Sequence, residues 1–123
     1  LSALPGVFVT GEVPDVRPWL AVADAVVAPL LLARGVQNKL LEAMAMARPV
    51  VASRAAATGI DAAPGEHLVV ADEAEEIAAA VVRLFDDPAA GAAMGRAARA
   101  RMVDRYGWKA RLAPLAELLG LGA

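Results

Sequence analysis

The chain has 123 residues, 59% of them hydrophobic, with 12 basic and 14 acidic side chains and a formal net charge of -2. That is enough apolar material for one small core, and it excludes both a disordered chain and a strongly basic nucleic-acid binder. Cysteine is absent, which excludes disulfides and thiolate chemistry and fits a reducing cytosol.

The stretch GVFVTG (6–11) is β-branched and aromatic between glycines and predicts a strand at Val7–Thr10. In PDVRPWLAVA (14–23), Asp15 is placed to cap a short helix, Pro18 falls in its first turn, and Trp19, Leu20 and Val22 supply its apolar contacts. DAVVAPL (24–30) predicts a second strand ended by Pro29, followed by a loop over 29–35 in which Gly35 is free to take unusual dihedrals. VQNKLLEAMAMA (36–47) predicts a helix, and PVVAS (49–53) a third strand whose unalternated apolar run suits burial on both faces. A loop through TGIDAAPGEH leads to a fourth short strand, LVV (68–70).

DEAEEIAAAVVRLFDD (72–87) predicts a helix with an Asp72/Glu75 capping box and an apolar face of Ile77, Val81, Leu84 and Phe85. Asp87–Pro88 opens another helix that runs to about Tyr106, where Gly107 ends it; a last amphipathic helix covers about 108–119. Strand and helix alternate through the first two-thirds, so the fold class is α/β, a Rossmann-like parallel sheet with flanking helices and a helical C-terminus. Ligands of such sheets bind beyond the carboxyl ends of the strands, where the loop 29–38 leads.

Three polar residues, Asn38, Lys39 and Glu42, share one arc at the start of the helix over 36–47. Free backbone N–H groups in the first turn and a glycine just before it suit an anion such as a diphosphate. Lys39 adds a point charge, and Glu42 suits two neighbouring hydroxyls, such as those of a ribose. On spacing alone the plainer reading is preferred: a Lys39–Glu42 ion pair at i, i+3 beside a solvated Asn38.

The blocks GEVPDVRPWLAVADAVVAPL, GVQNKLLEAMAMARPVVAS, TGIDAAPGEHLVVADEAEEIAAAVVRLFDDP and YGW occur in this order and cover nearly all of the chain. Together they resemble the carboxyl-terminal, nucleotide-sugar-binding half of GT-B retaining glycosyltransferases with a Glu-x7-Glu signature. The resemblance implies a single partial domain over 1–123 with a UDP- or GDP-sugar as donor and no metal. It also implies that Glu42, the second signature glutamate, contacts the ribose, and that backbone groups of Gly35, Val36 and Gln37 meet the diphosphate. Lys39 is expected to face the phosphates or sugar. The catalytic assignments are Glu42 and Lys39, and the donor-binding set is Arg34, Gly35, Val36, Gln37, Asn38, Lys39 and Glu42. Two positions depart from the family pattern. Arg34 stands where the first signature glutamate falls, and Ala47 stands where glycine usually ends the helix.

The chain starts at Leu1 rather than Met and is expected to be a piece of a longer protein. The resemblance implies an absent amino-terminal acceptor domain and two absent earlier strands, one of them the neighbour of the second strand predicted here. Open sheet edges follow, inviting a homodimer or strand exchange, and the piece alone is expected to be inactive. Sugar transfer in cell-envelope or exopolysaccharide synthesis is the implied role, in the cytoplasm or at the inner face of the membrane. The alternatives are a nucleotide-sugar 2-epimerase fragment and a non-catalytic flavodoxin-like interaction domain.

Other residues read more plainly. His67, the only histidine, is expected at a surface turn, with Asp61 and Glu66 solvated beside it. Thr58 and Gly59 are candidates for the wall of the base or sugar pocket. Arg96, Arg99, Arg101, Arg105, Lys109 and Arg111 are expected on a solvated face, with peripheral membrane contact as a second reading and no nucleic acid. Met44 and Met46 are expected in the core, and Trp19 and Trp108 as packing anchors.

Overall fold

Three short β-branched runs form one parallel sheet in the order β1 (Val26–Ala28), β2 (Val50–Ala52), β3 (Val69–Val70). The computed structural model describes residues 3–32, 35 and 37–120. Val26, Val27 and Ala28 pair with Val50, Val51 and Ala52, and Val51 and Ala52 pair with Val69 and Val70. Around the strands, in chain order, run α1 (Arg17–Val22), α2 (Asn38–Ala45), α3 (Arg54–Ala57), α4 (Ala74–Asp86), α5 (Pro88–Tyr106) and α6 (Trp108–Leu118).

Successive strand residues point to opposite faces, so β2 supplies both sides of the core. Val50 and Ala52 pack with Leu20, Leu40, Met44, Ala98 and Met102 from α1, α2 and α5. Val51 packs on the other face with Ala71 and Ala80, bordered by Ile77, Val81 and Leu84. Every residue of β2 is buried, as an unalternated apolar run predicts.

The carboxyl end of α2 is closed by a Schellman motif. Arg48 N–H donates to the Ala43 carbonyl at 3.1 Å, and Ala47 N–H to the Met44 carbonyl at 3.0 Å. Ala47 therefore takes a left-handed φ of 58°, alone among the described non-glycine residues. Pro49 follows and cannot continue the helix. Two guanidinium groups meet the last carbonyls: Arg48 Nε donates to Met46 O at 3.2 Å, and Arg99 donates to Ala45 O. Helix α5 crosses directly over this cap. A Cβ on Gly95 would lie 2.1 Å from the Ala47 carbonyl oxygen, so only glycine fits there. Gly91, Gly95, Ala98 and Met102 form the buried stripe of α5.

Several expectations change. Residues 7–10 form no strand, and Val7, Phe8 and Val9 are exposed. A strand needs a neighbour, and among the described residues none pairs with this segment. Asp15 is not the cap of α1; Val16 holds that position, and the Asp15 carboxylate accepts from Arg17 N–H at 3.0 Å and pairs with its guanidinium at 2.9 Å. That guanidinium holds the Asp15 carboxyl below its ordinary value. Of the three apolar residues assigned to α1, only Leu20 is buried. The helix over 36–47 is shorter, because its last turn is the Schellman cap.

A helix unforeseen in the sequence, α3, starts within the loop after β2. Buried Ser53 caps it by accepting from Ala56 N–H at 3.2 Å, while its hydroxyl donates to the Leu30 carbonyl at 2.6 Å. Asp72, assigned above to a capping box on α4, instead accepts from Arg54 N–H at 2.8 Å and so serves α3. Helix α4 begins after Glu73 with no side-chain cap, although Glu75 and Glu76 complement its dipole. Phe85 is exposed, and Ala80 takes the buried position on that helix. Asp87 caps α5 through Ala90 N–H at 3.1 Å, with Pro88 at the first helical position, as expected.

Denaturant titration distinguishes the two partners of the crossing. Gly95→Ala is expected to lose about 3 kcal/mol or more, because backbone cannot retreat from the new methyl. Ala47→Gly relieves about 1–2 kcal/mol of left-handed strain and loses about 0.4–1 kcal/mol through the freer unfolded chain, so a net gain of about 0.5–1 kcal/mol is expected. Ser53→Ala is expected to lose about 1–2 kcal/mol, since one hydroxyl serves both a helix cap and a buried carbonyl.

Candidate functional site

The chain leaves β1 at its carboxyl end, turns through the segment containing Gly35, and enters α2. Gly35 has a φ of 66° with open space where a Cβ would stand, so the glycine meets a backbone requirement rather than a packing one. Gln37 occupies the cap position of α2 in an extended conformation, and its side chain makes no capping bond to the helix. Its carbonyl accepts from Leu40 N–H at 3.0 Å and Leu41 N–H at 3.3 Å. The positive end of α2 therefore opens at the carboxyl end of the sheet.

Leu40, Ala43 and Met44 turn inward and are buried. That leaves Asn38, Lys39 and Glu42 exposed on the outer arc, as the helical spacing predicts. Among the described residues Lys39 and Glu42 form no ion pair, so the plainer reading of the two as a helix pair does not hold. Arg34 and Val36, the other members of the donor-binding set, lie outside the described residues.

A cleft of about 300 Å³ runs beside β1 to the mouth of α2. Val16, Leu20, Val26, Ala28 and Leu40 make its apolar lining, and Gln37, Lys39 and Glu42 supply polar groups. Glu42 also borders a second cleft of about 390 Å³, lined by Leu41, Ala45, Met102 and Tyr106. A larger cleft, about 510 Å³, lies at the opposite ends of the strands, between Asp24, Arg48, Pro49, Phe85 and Arg96. In parallel α/β sheets ligands gather at the carboxyl ends, which favours the smaller cleft at the start of α2.

The loop after β2 is held from α5. Asp61 N–H donates to the Tyr106 hydroxyl at 2.8 Å, its carbonyl accepts from Arg101 Nε at 2.9 Å, and its carboxylate meets Arg101 at 2.6 Å and Arg105 at 3.6 Å. Asp61 is therefore not simply solvated. Four arginines of the basic tract have partners: Arg99 on α2, Arg101 and Arg105 on Asp61, and Arg111 stacked 4.6 Å over the Tyr106 ring. Thr58 donates its hydroxyl to the Arg54 carbonyl at 2.6 Å, which closes α3.

His67 is buried rather than at the surface, and its Nδ1 accepts from Ala63 N–H at 2.9 Å. That bond leaves the neutral ring's proton on Nε2, 3.6 Å from Glu66, and makes the histidine a fastener of the turn. Met44 is fully buried and Met46 half-buried, whereas Trp19 is half-exposed and stacks on Phe8. The Trp108 side chain lies outside the described parts. Sequence reasoning missed Ser53 and Tyr106. A serine directly after a buried strand and before RAAA is a cap signal that was available; the tyrosine bond joins positions 45 apart and has no local signature.

Among the described residues no helix is long and apolar enough to cross a membrane. No curated protein and no solved structure matches the chain. A family model described as glycosyl transferases group 1 matches residues 1–87, which include the sheet, the opening of α2 and all but the last two helices. With that match over most of its length, the chain belongs to the group 1 glycosyltransferases.

Proposed function

We propose that this chain is the donor-binding portion of a retaining GT-B glycosyltransferase and that it holds a nucleotide-diphosphate sugar at the start of α2. The observation that carries the reading is the exposed trio Asn38, Lys39 and Glu42, with no Lys39–Glu42 ion pair among the described residues, at a helix start beyond the carboxyl end of β1. Family membership supplies the reaction class. In this reading the diphosphate meets the backbone around Gly35, Val36 and Gln37, with Arg34 available as a further cation. Asn38 donates nearby. Lys39 faces a phosphate oxygen, and Glu42 accepts from the ribose hydroxyls.

The chemistry that falls to this portion is stabilisation of the departing diphosphate while the sugar is transferred with retention at its anomeric carbon. The dipole of α2 and the Lys39 ammonium place positive charge where negative charge develops. The scheme uses no metal. Acceptor binding is assigned to an amino-terminal domain outside this chain, with cell-envelope or exopolysaccharide synthesis in the cytoplasm as the proposed setting.

Calorimetric titration with UDP and GDP tests the donor site. One of the two is expected to bind, and Glu42→Ala is expected to weaken it about tenfold, or about 1.4 kcal/mol, through loss of the ribose contacts. Binding of neither, or binding indifferent to Glu42→Ala, overturns the assignment. The purified 123-residue chain is expected to transfer no sugar from either donor class; measurable transfer in a product assay contradicts the division of labour.

A further inference from the structure

The cleft of about 510 Å³ lies at the amino ends of the strands, the pole of the molecule away from the proposed donor site. Its floor is closed and apolar. Pro49 and Gly91 are buried, and a Cβ on Gly91 would meet Leu84 Cδ2 at 3.6 Å and Pro49 Cγ at 3.7 Å. The start of α5 lies along the floor, and the end of α4 forms one wall. Apart from Ala23 and Asp24, every lining residue falls between 47 and 96, the stretch that packs α2, α4 and α5 around β2.

Phe85 stands in that wall with 55% of its surface exposed, and Val82, one turn earlier on α4, is exposed as well. Ala80, Ile77, Val81 and Leu84 hold the inner side of the helix, so nothing in the core calls for an aromatic ring at this position. A ring beside an apolar floor, both open to water, marks a surface that gains by association. Charges of both signs stand at the rim. Asp24 and Arg96 line the same cleft, both are exposed, and neither side chain forms an ion pair or hydrogen bond among the described residues. Arg48, the third charged residue of the cleft, is held by the Met46 and Ala23 carbonyls at 3.2 and 3.3 Å.

We propose that two copies of this chain associate through this cleft about a two-fold axis. Phe85 of each copy lies in the cleft of the other, over Pro49 and Gly91, and Asp24 of each meets Arg96 of the other. A two-fold contact makes every residue pair twice, so one patch must carry both a projecting group and a hollow, and both a positive and a negative charge. This patch carries all four. A partner of single charge leaves either the carboxylate or the guanidinium unpaired, whereas a second copy satisfies both. The carboxyl ends of the strands, with the start of α2, stay open in the pair. One cleft per copy is a small interface with its charges at the rim, so the association depends on concentration and weakens with salt.

Sedimentation equilibrium tests the pairing. The unmodified chain is expected to show monomer and dimer, and Phe85→Ser to leave monomer with unchanged far-ultraviolet circular dichroism. Asp24→Arg sets two guanidinium groups against each other at both contacts, and Arg96→Asp sets two carboxylates. Each is expected to weaken association by about tenfold or more. An equimolar mixture of these two variants is expected to form a dimer with one chain of each, because both contacts then join opposite charges. A chain that stays monomeric at all concentrations overturns the proposal and leaves the cleft to a partner of another kind. A dimer indifferent to Phe85→Ser or to either charge reversal overturns it as well, and so do two charge variants that stay monomeric when mixed.

Discussion

The contact on which the rest of the molecule depends is the crossing of α5 over the end of α2. Ala47 turns left-handed to close the Schellman motif, its carbonyl faces Gly95, and nothing larger than hydrogen fits between them. The contact fixes two orientations at once. It sets α5 against the sheet, so that Ala98 and Met102 complete the core on that face. It also anchors α2 at its carboxyl end, which leaves the opposite, uncapped end to open beyond β1. The arc that exposes Lys39 and Glu42 thus belongs to a helix anchored about two turns or fewer away, at a backbone position that carries left-handed strain.

A second set of bonds organises the loops at the carboxyl ends of the strands. The Ser53 hydroxyl ties the chain leaving β1 to the chain leaving β2. Tyr106, Arg101 and Arg105 tie the loop after α3 to α5 through Asp61. Most of these groups are only partly buried, so each contributes modestly on its own. Their joint effect is geometric, since the loop after β1 and the loop after α3 are each fastened to a neighbouring element. The basic tract stays largely on an exposed face, as the sequence predicts, while four of its arginines engage a helix-end carbonyl, a carboxylate or an aromatic ring.

The sequence carried the parallel α/β class, the three strands of the sheet and the face that α2 turns outward, because hydrophobic periodicity and Gly/Pro punctuation are local signals. It also carried the cap of α5, where Asp87 and Pro88 are adjacent. It misled at Val7–Thr10, since β propensity describes a residue that fits a sheet and cannot supply the neighbouring strand. It misassigned Asp72, which lies three-dimensionally beside Arg54 although its sequence neighbours suggest a cap on α4. His67 was misplaced for a related reason: a histidine in a Pro-Gly-Glu turn looks exposed until the turn folds over it. The outer arc of α2 was legible, but the absence of a Lys39–Glu42 pair was not, because spacing gives proximity and not rotamer.

The family-model match ends at residue 87, yet the core does not. Helix α5 begins at Pro88 and supplies Gly91, Gly95, Ala98 and Met102 to the interior, along with the tyrosine and arginines that hold Asp61. The matched stretch therefore ends inside the folding unit. A shorter gene product ending at residue 87 would keep every described strand and the whole outer arc of α2, and would still expose the inner side of that helix to water.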